Sequence, residues 1–554
     1  MDDTACVWYN KDSKFNGLRG IHMSFVPNQQ LSLFNSFHFL SERKQRMLEN
    51  SWAKAFSDHI FLNIDEYIFA PLFSENTNSR PNAPINVIVG ALILKELTGM
   101  TDDEIIESME FDFRFQFALH TISFEQQPIS DRSFSRFRSR CAAYELTTGI
   151  DLIHQCIISL SKYISEYMKL DGSIKRMDSM MIEANIRRMG RLELLYTCLS
   201  NLVNDIKQDG LLSLPEKYAH YHDSNDRNKV IYHDRETSTA DKLQKVIDDA
   251  IELLHLSENK YSESRDYQLL LRAISEQTKP DPDDDSKRIP KGKGDSMDSS
   301  VLQNPSDPDA TFRSKAGKNH RGYAANIIET VDENGSVISD YQYDVNTHSD
   351  SSFIKEYLEE LPEQKETMAI IADGAYNSEE IQKLASKKNV GVITTGLSGK
   401  TPNEILGNFT FSDDGKEVLV CPNGYAPKSN NYISQTGNVR ISFDKEKCIN
   451  CPYKDKCNPK IKARTASKYV SKKASDHINQ IRERRNNETY QLIGRIRNGV
   501  ETIPSVMRSK YNVDKMPVRG IQRTRQFFGF KVAASNFTKL FRYTKGIEKC
   551  ISLQ

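Results

Sequence analysis

Two aspartates lie in apolar stretches that the pattern predicts to be buried β-strands. Asp178 stands within "RMDSMMI", and Asp373 ends the apolar run of "AIIADG". A carboxylate in such surroundings is costly unless it is paired, hydrogen-bonded or bound to a metal. Two carboxylates on neighbouring strands, joined by a third from a helix, form the all-oxygen site that Mg²⁺ prefers, and two ions about 4 Å apart support an in-line phosphoryl displacement. A strand-end acid at 178 and an ordinary Asp-Gly turn at 373 are the alternatives.

A third acid, Glu501, is the single carboxylate in the basic stretch "RIRNGVETIPSVMR" (495–508). Taken alone it is weak evidence, because roughly one or two acids would have such basic flanks by chance in a chain of this composition. Pro504 cannot lie inside a continuous helix without the loss of a backbone hydrogen bond. We therefore expect a helix start, break or kink between Gly499 and Pro504.

Four of the nine cysteines lie within 37 residues in the pattern C-x26-C-x2-C-x5-C: Cys421, Cys448, Cys451 and Cys457. Four thiolates fit a closed tetrahedral Zn²⁺ site, which would stabilise the surrounding segment and perform no catalysis. Buried thiols without a metal are the alternative. The other cysteines have no partner spacing and are expected to act as small apolar residues: Cys6, Cys141, Cys156, Cys198 and Cys550.

Composition indicates a multidomain protein of the cell interior. A length of 554 residues corresponds to about three to four domains. The longest apolar run, "INVIVGALIL" (85–94), is about half the length that crosses a bilayer. The N-terminus has no signal-peptide pattern, and the cysteine usage argues against a disulfide framework.

Charge is distributed unevenly although the formal net charge is +0. Residues 458–554 contain 22 Lys and Arg against 6 Asp and Glu, a net charge of +16. Such a concentration favours a polyphosphate partner such as DNA, and a solvated basic surface is the alternative. The cations that we expect to contact phosphates are Arg485, Arg495, Arg497, Arg508 and Lys510.

The periodicity divides the chain into alternating helical and strand-rich segments. Residues 40–165 are predicted to be helical, and the two helices around "TGMTDDE" form either a helix-turn-helix DNA reader or ordinary helix packing. A strand over 173–186 and a helical segment over 191–277 follow, and 278–300 has the composition of a linker. An Asn-Gly hairpin and a strand–helix–strand unit come next, then short strands with cysteines (401–470) and a basic helical region from about 475.

Several of these segments recur in an order that resembles the DDE-type transposases of bacterial insertion sequences. They are "RMDSMMIEAN", "DPDATFRSKAGKNHRGYAANIIETVDENGSVISDYQYDVNTHSDSS", "IIADGAYNS" and "RNGVETIPSVMR". The resemblance implies an RNase H-like fold whose Asp, Asp and Glu hold two Mg²⁺ ions, with Mn²⁺ able to substitute. It assigns the three acids to Asp178, Asp373 and Glu501.

The third assignment rests on a Tyr-x2-Arg-x3-Glu-x6-Lys signature, in which Arg497 and Glu501 fit. Gly494 stands where the family has Tyr, and Arg508 replaces Lys. Arginine keeps the charge and alters the geometry of a phosphate contact. His348 and Asp350, in "NTHSDSS", belong to a helix cap or to a supporting group near the metals.

The resulting expectation is an α/β protein with an RNase H-like mixed-sheet core, a helical N-terminal domain, a helical insertion and a small β-rich cysteine insertion. Its expected segments are a DNA-binding helical domain (1–165), the first core strand (166–190), a helical insertion with a disordered linker (191–300), the continued core (301–400), the cysteine insertion (401–474) and the basic C-terminal part (475–554).

The expected activity is that of a DNA transposase, which cleaves at terminal inverted repeats and transfers the 3′-OH ends to target DNA as a homodimer. A nuclease that cuts without joining and an inactive DNA-binding derivative are the alternatives. The expected location is the bacterial cytoplasm, at the nucleoid, without a membrane partner.

Overall fold

The computed structural model describes residues 23–28, 37, 40–74, 78, 80–121, 129–292, 294–315, 317–376, 378–394 and 403–547. The N-terminal region is helical, as predicted. Its elements are β1 (Met23–Ser24), β2 (Arg80–Pro81), α1 (Glu42–Glu49), α2 (Trp52–His59), α3 (Ile85–Thr98), α4 (Asp102–Phe111), α5 (Phe113–Ala118), α6 (Asp131–Thr148) and α7 (Leu152–Tyr167).

The pair α3 and α4 packs as ordinary helices. Gly99 ends α3 in the left-handed conformation, and Thr101 starts α4 with a capping box to Glu104. Helix α3 is buried along nearly its whole length, whereas α4 exposes acids that include Glu107. An acidic second helix is repelled by DNA phosphates, so the structure favours packing over the helix-turn-helix alternative.

The first core strand and a helical insertion follow. They comprise β3 (Ile174–Glu183), α8 (Arg191–Asp209), α9 (Ser224–Asn228), α10 (Thr239–Tyr261) and α11 (Arg265–Gln277). The insertion has its own apolar core, to which α10 contributes a stripe that includes Val246, Ala250 and Leu253. These residues are spaced four and three apart, so they lie on one face of the helix.

The segment 278–300 differs from the predicted linker, because its first part is a β-hairpin. Strands β4 (Thr278–Asp281) and β5 (Asp284–Pro290) pair in antiparallel fashion. The Arg288 guanidinium donates to Thr278 Oγ1, and the Gln244 amide on α10 donates to the Arg288 carbonyl at 2.8 Å. Polar composition suggested a linker, but these tertiary hydrogen bonds hold the segment on the insertion.

The predicted mixed-sheet core is confirmed by a six-stranded sheet. Its later elements are β6 (Thr311–Lys315), β7 (Lys318–Val331), β8 (Ser336–Val345), α12 (Asp350–Glu360), β9 (Met368–Ala372), α13 (Glu379–Lys387) and β10 (Val390–Thr394). The strand order is β10-β9-β3-β7-β6, and β8 also pairs with β7. Strands β3, β9 and β10 run parallel, whereas β7 is antiparallel to its three neighbours.

The cysteine insertion is β-rich, as predicted. It contains β11 (Thr410–Phe411), β12 (Val418–Val420), β13 (Ser429–Ile433), β14 (Asn438–Asp444), α14 (Lys445–Ile449), α15 (Lys454–Cys457), β15 (Lys460–Ile461) and β16 (Thr465–Val470). Four of these strands form an antiparallel sheet in the order β13-β14-β16-β15.

The C-terminal part is helical and returns to the core. It consists of α16 (Lys472–Asn486), α17 (Glu488–Val500), α18 (Thr502–Ser509) and α19 (Ile521–Thr544). Helix α19 is mostly buried: Phe537 packs on Phe56 of α2, and Phe528 packs on Tyr341 of β8. One hydrophobic core therefore joins the N-terminal helices, the sheet and α19.

Short helices of three to seven residues connect these elements. They are Phe61–Asn63, Glu66–Leu72, Glu216–His222, Lys229–His233, Gly374–Tyr376, Glu404–Asn408 and Val513–Lys515. Among the described residues, none of the helices has the length and apolar character needed to cross a bilayer.

Candidate functional site

The two aspartates stand side by side on neighbouring parallel strands. Strands β3 and β9 pair in a register whose last match joins Arg176 to Ile371. Asp178 and Asp373 each follow two residues later, so the two carboxylates leave the sheet at the same level. Asp373 comes directly after the end of β9, where α/β proteins gather functional groups.

The pKa of Asp178 is raised to about 6. Burial is the main cause, and the negative charge of Asp373 adds to it, while Arg497 and Lys315 act in the opposite direction. The Ser179 amide donates to Asp178 Oδ1 at 3.0 Å and holds the carboxylate in place. Asp373 Oδ1 accepts from the Ala375 amide at 2.7 Å. The site thus concentrates negative charge in a half-buried position, which favours a bound cation.

Glu501 lies at the junction of two helices. Helix α17 ends at Val500, α18 begins at Thr502, and Pro504 lies in the first turn of α18, where its missing N–H costs nothing. The break expected between Gly499 and Pro504 is therefore confirmed. The Glu501 carboxylate is 57% exposed and accepts a hydrogen bond from Arg497 Nη1, so it is accessible and already paired.

Arg497 connects this junction to the aspartates. Its guanidinium pairs with Glu501, and its charge lowers the pKa of Asp178. Its side chain is 17% exposed, and its Nε is buried without a hydrogen-bond partner among the described residues. An unsatisfied buried donor in a polar site is suited to an incoming oxygen ligand such as a phosphate.

The donor set fits Mg²⁺ in chemistry, since all three acids offer oxygen ligands. The described residues nevertheless contain no group of three or more His, Cys, Asp or Glu side chains arranged to hold a metal. Asp178 and Asp373 adjoin, whereas Glu501 is turned to Arg497. The structure therefore does not bring Glu501 together with the two aspartates among the described residues.

The remaining predicted DNA contacts differ in their surroundings. Arg508 donates to the Met181 carbonyl at 2.7 Å and to Asp514 at 3.1 Å, which ties α18 to β3. Lys510 donates to Thr538 Oγ1 and lies over the Tyr511 ring. Arg495 is exposed on α17, whereas the side chain of Arg485 lies outside the described part of the chain.

Two further residues approach the aspartates: Lys315, which was not singled out from the sequence, and Asp350, for which the sequence left a helix cap or a supporting role near the metals open. Lys315, exposed at the end of β6, lowers the pKa of Asp178 and lies 3.9 Å from Asp350. Asp350 is buried, and its Oδ1 accepts from Ser179 Oγ at 2.6 Å. Lys315 occurs in "DATFRSKAG", a stretch of the family resemblance, and this was the one available signal.

The segment around His348 is a helix cap, as one alternative proposed. The Ser349 side chain accepts from the Ser352 amide at the start of α12. The His348 ring lies 3.1 Å from Glu356 and 3.7 Å from Asp344. These contacts explain His348 as part of the local packing of α12.

The four clustered cysteines converge on one small cavity. Cys421, Cys448, Cys451 and Cys457 all line a space of about 30 Å³, close to the volume of a single water molecule or ion. Burial and the other three thiols raise the pKa of Cys448 to about 11. Elsewhere, Cys141, Cys156 and Cys198 are buried, as expected of small apolar residues, whereas Cys6 and Cys550 lie outside the described residues.

Two regions of the chain match transposase families. Residues 420–541 match "Transposase DDE domain" and residues 44–140 match "Transposase domain (DUF772)". The first match contains the four clustered cysteines and Glu501, whereas Asp178 and Asp373 lie outside both matches. No curated protein matches the chain.

A solved structure titled "Cryo-EM structure of piggyBac transposase synaptic complex with hairpin DNA" is similar at 11% identity and a TM-score of 0.31. The similarity covers 91% of this chain and 79% of that chain.

The two family matches show that the chain is similar to transposases over residues 44–140 and 420–541. The C-terminal match is to a DDE domain, so the resemblance to DDE-type transposases is confirmed.

Proposed function

We propose that the chain cleaves DNA at the terminal inverted repeats of a transposon and joins the resulting 3′-OH ends to target DNA. Asp178, Asp373 and Glu501 are the proposed metal ligands. The observation that carries the proposal is the register of β3 and β9, which sets Asp178 and Asp373 at one level in a chain with a transposase DDE domain.

The chain's own residues divide the work at this site. Asp178 and Asp373 would hold the cation from the two neighbouring strands, and Glu501 would complete the ligand set with Arg497 turned to the DNA. Bound Mg²⁺ would supply charge stabilisation and an activated oxygen for phosphodiester displacement. Arg497 and Lys315 are proposed to orient the phosphate, because the positive charges of both side chains act on Asp178.

The DNA surface is proposed to follow the basic C-terminal part. Its candidate contacts are Arg485, Arg495, Arg497, Arg508 and Lys510. Arg508 and Lys510 are expected to contribute less to DNA binding, because both already donate hydrogen bonds within the chain. The exposed Arg132 and Arg136 on α6 offer a second basic surface in the N-terminal domain. Two copies on a pair of DNA ends, at the bacterial nucleoid, complete the proposal.

A structural Zn²⁺ is also proposed, held by Cys421, Cys448, Cys451 and Cys457. The support is the convergence of all four thiols on a cavity of about 30 Å³. Among the described residues the four thiols are not arranged as a metal-binding group. The proposal therefore includes an inward movement of the loops that carry them. Zinc would hold α14 and α15 against the sheet of the insertion.

The test uses labelled transposon ends, identified from inverted repeats in the flanking DNA, with target plasmid and Mg²⁺. Cleavage followed by joined products is expected, and Asp178→Asn is expected to abolish both. Products limited to cleavage would identify a nuclease instead. Binding without cleavage, for the wild type and Asp178→Asn alike, would identify an inactive DNA-binding derivative.

A further inference from the structure

Arg176 is a buried arginine that lies between the catalytic strand and the helix that precedes Glu501. It is 4% exposed, and it lies two residues before Asp178 on β3, so both side chains leave the same face of the sheet. Its Nη1 donates to the Ile496 carbonyl of α17 at 2.9 Å. A guanidinium at the C-terminal end of a helix is favoured by the helix dipole.

Gly499, one turn later on α17, leaves space for the same guanidinium. A Cβ built at this position would lie 2.0 Å from Arg176 Nη1 and 3.0 Å from its Cζ. A contact that close forces the helix or the arginine to shift. The absence of a side chain at 499 is therefore what allows α17 to rest directly on Arg176.

The arginine itself is held from the opposite side. Its Nε donates to Glu329, the residue paired with Arg176 on β7, and Glu329 also accepts from Lys539 of α19. Glu329 is completely buried. A planar, doubly held guanidinium has little freedom, so it is a fixed support for α17.

We propose that Arg176 is a positioning residue for the third acid. By fixing the last turn of α17 on β3, it determines where Arg497 and Glu501 stand relative to Asp178. The two points of contact, Ile496 and Gly499, lie on either side of Arg497. The proposal rests on the proposed function, because it assigns the support of a catalytic triad.

The primary test compares two substitutions on one helix. Gly499→Ala places a methyl group against Arg176, whereas Gly494→Ala places the same group where nothing lies within 4 Å. We expect Gly499→Ala to lower the cleavage rate by about 10- to 100-fold, the effect of a small misplacement of a catalytic group, with a much smaller change in the DNA dissociation constant. Gly494→Ala should cleave like the wild type.

Arg176→Lys provides a second variant if Gly499→Ala does not fold. Lysine keeps a positive charge for Glu329 but lacks the planar fork that reaches both Glu329 and Ile496. The same loss of cleavage with retained DNA affinity is expected. Mn²⁺ binding to the protein–DNA complex, followed by electron paramagnetic resonance, should weaken in both variants and in Glu501→Gln, and remain unchanged in Gly494→Ala.

The outcomes separate this proposal from the proposed function. If Asp178→Asn abolishes cleavage while Gly499→Ala and Arg176→Lys cleave and bind Mn²⁺ like the wild type, the positioning role is wrong and the triad stands. If Asp178→Asn leaves cleavage intact, the triad is wrong. Equal losses of DNA affinity and cleavage in the two variants would show a general structural role and overturn the positioning role.

Discussion

The guanidinium of Arg497 pairs with the carboxylate of Glu501 while its charge also lowers the pKa of Asp178. One cation therefore links the third acid of the proposed triad to the first. A DNA phosphate and Glu501 compete for the same donors, because a guanidinium suits either anion. DNA binding and the release of Glu501 for metal binding are thus expected to be coupled.

Arg497→Ala tests this coupling through two effects of opposite direction. DNA affinity should fall, and the slope of its salt dependence should decrease by about one, because one phosphate contact is lost. Mn²⁺ affinity in the absence of DNA should rise, since Glu501 is freed and a positive charge is removed. Lys383→Ala, which removes an exposed cation paired with Glu379, is the control and should change neither quantity. A parallel fall of both affinities would contradict the coupling.

Asp178→Asn and Asp373→Asn should each lower the cleavage rate by at least about 10²-fold, because each removes a charge that faces the reacting phosphate through a bound cation. DNA binding should remain, since neither acid is among the proposed DNA contacts. Gel-based cleavage of labelled ends measures the rate, and fluorescence anisotropy measures binding. Asp413→Asn, at an exposed position of the insertion, is the matched control. Wild-type cleavage by either variant would remove that residue from the site.

Local sequence patterns predict the individual strands and helices of this fold better than they predict which strands pair. The apolar strands that carry Asp178 and Asp373, and the helix break before Pro504, follow from periodicity and from proline chemistry. The register that aligns the two aspartates joins strands far apart in sequence, and no local pattern records it.

Contacts between residues far apart in sequence also explain why the buried Glu329 and the hairpin at 278–290 could not be predicted. Glu329 is held by residues 153 and 210 positions away, so its burial was invisible in its own segment. The hairpin at 278–290 depends on tertiary bonds that polar composition concealed. Where tertiary packing supplies hydrogen-bond partners for polar groups, it overrides the structural preference of the local sequence.

Cys451→Ser should remove the proposed zinc. One Zn²⁺ per chain is expected for the wild-type protein by mass spectrometry under native conditions, and less in the variant, because a hydroxyl is a poor replacement for a thiolate ligand. Proteolysis should become faster within 403–470 and stay unchanged in the sheet core. Cys198→Ser, at a buried cysteine of the helical insertion, should keep its zinc. A metal-free wild-type protein with an intact insertion would contradict the site.

Glu329 should make the folded state sensitive to acid. Burial opposes its ionisation, but Lys539 and Arg176 hold its pKa at about 2 against an ordinary 4.5. A carboxyl with a lowered pKa in the folded state contributes stability that is complete above the unfolded pKa and is lost as the pH falls from 4.5 towards 2. In this window the free energy of unfolding should fall by about 1.4 kcal/mol per pH unit from this group alone.

The urea-unfolding midpoint is measured by circular dichroism at several pH values from about 5.5 to about 3.5. This range covers the upper part of the window. Glu329→Gln should be destabilised by about 3–5 kcal/mol at neutral pH, because it leaves the buried Arg176 and the half-buried Lys539 without a carboxylate. Its gap to the wild type should narrow as the pH falls. Glu379→Gln, at an exposed surface pair, should follow the wild-type curve in parallel. A constant gap between Glu329→Gln and the wild type across this range would show that Glu329 keeps an ordinary pKa in the folded chain.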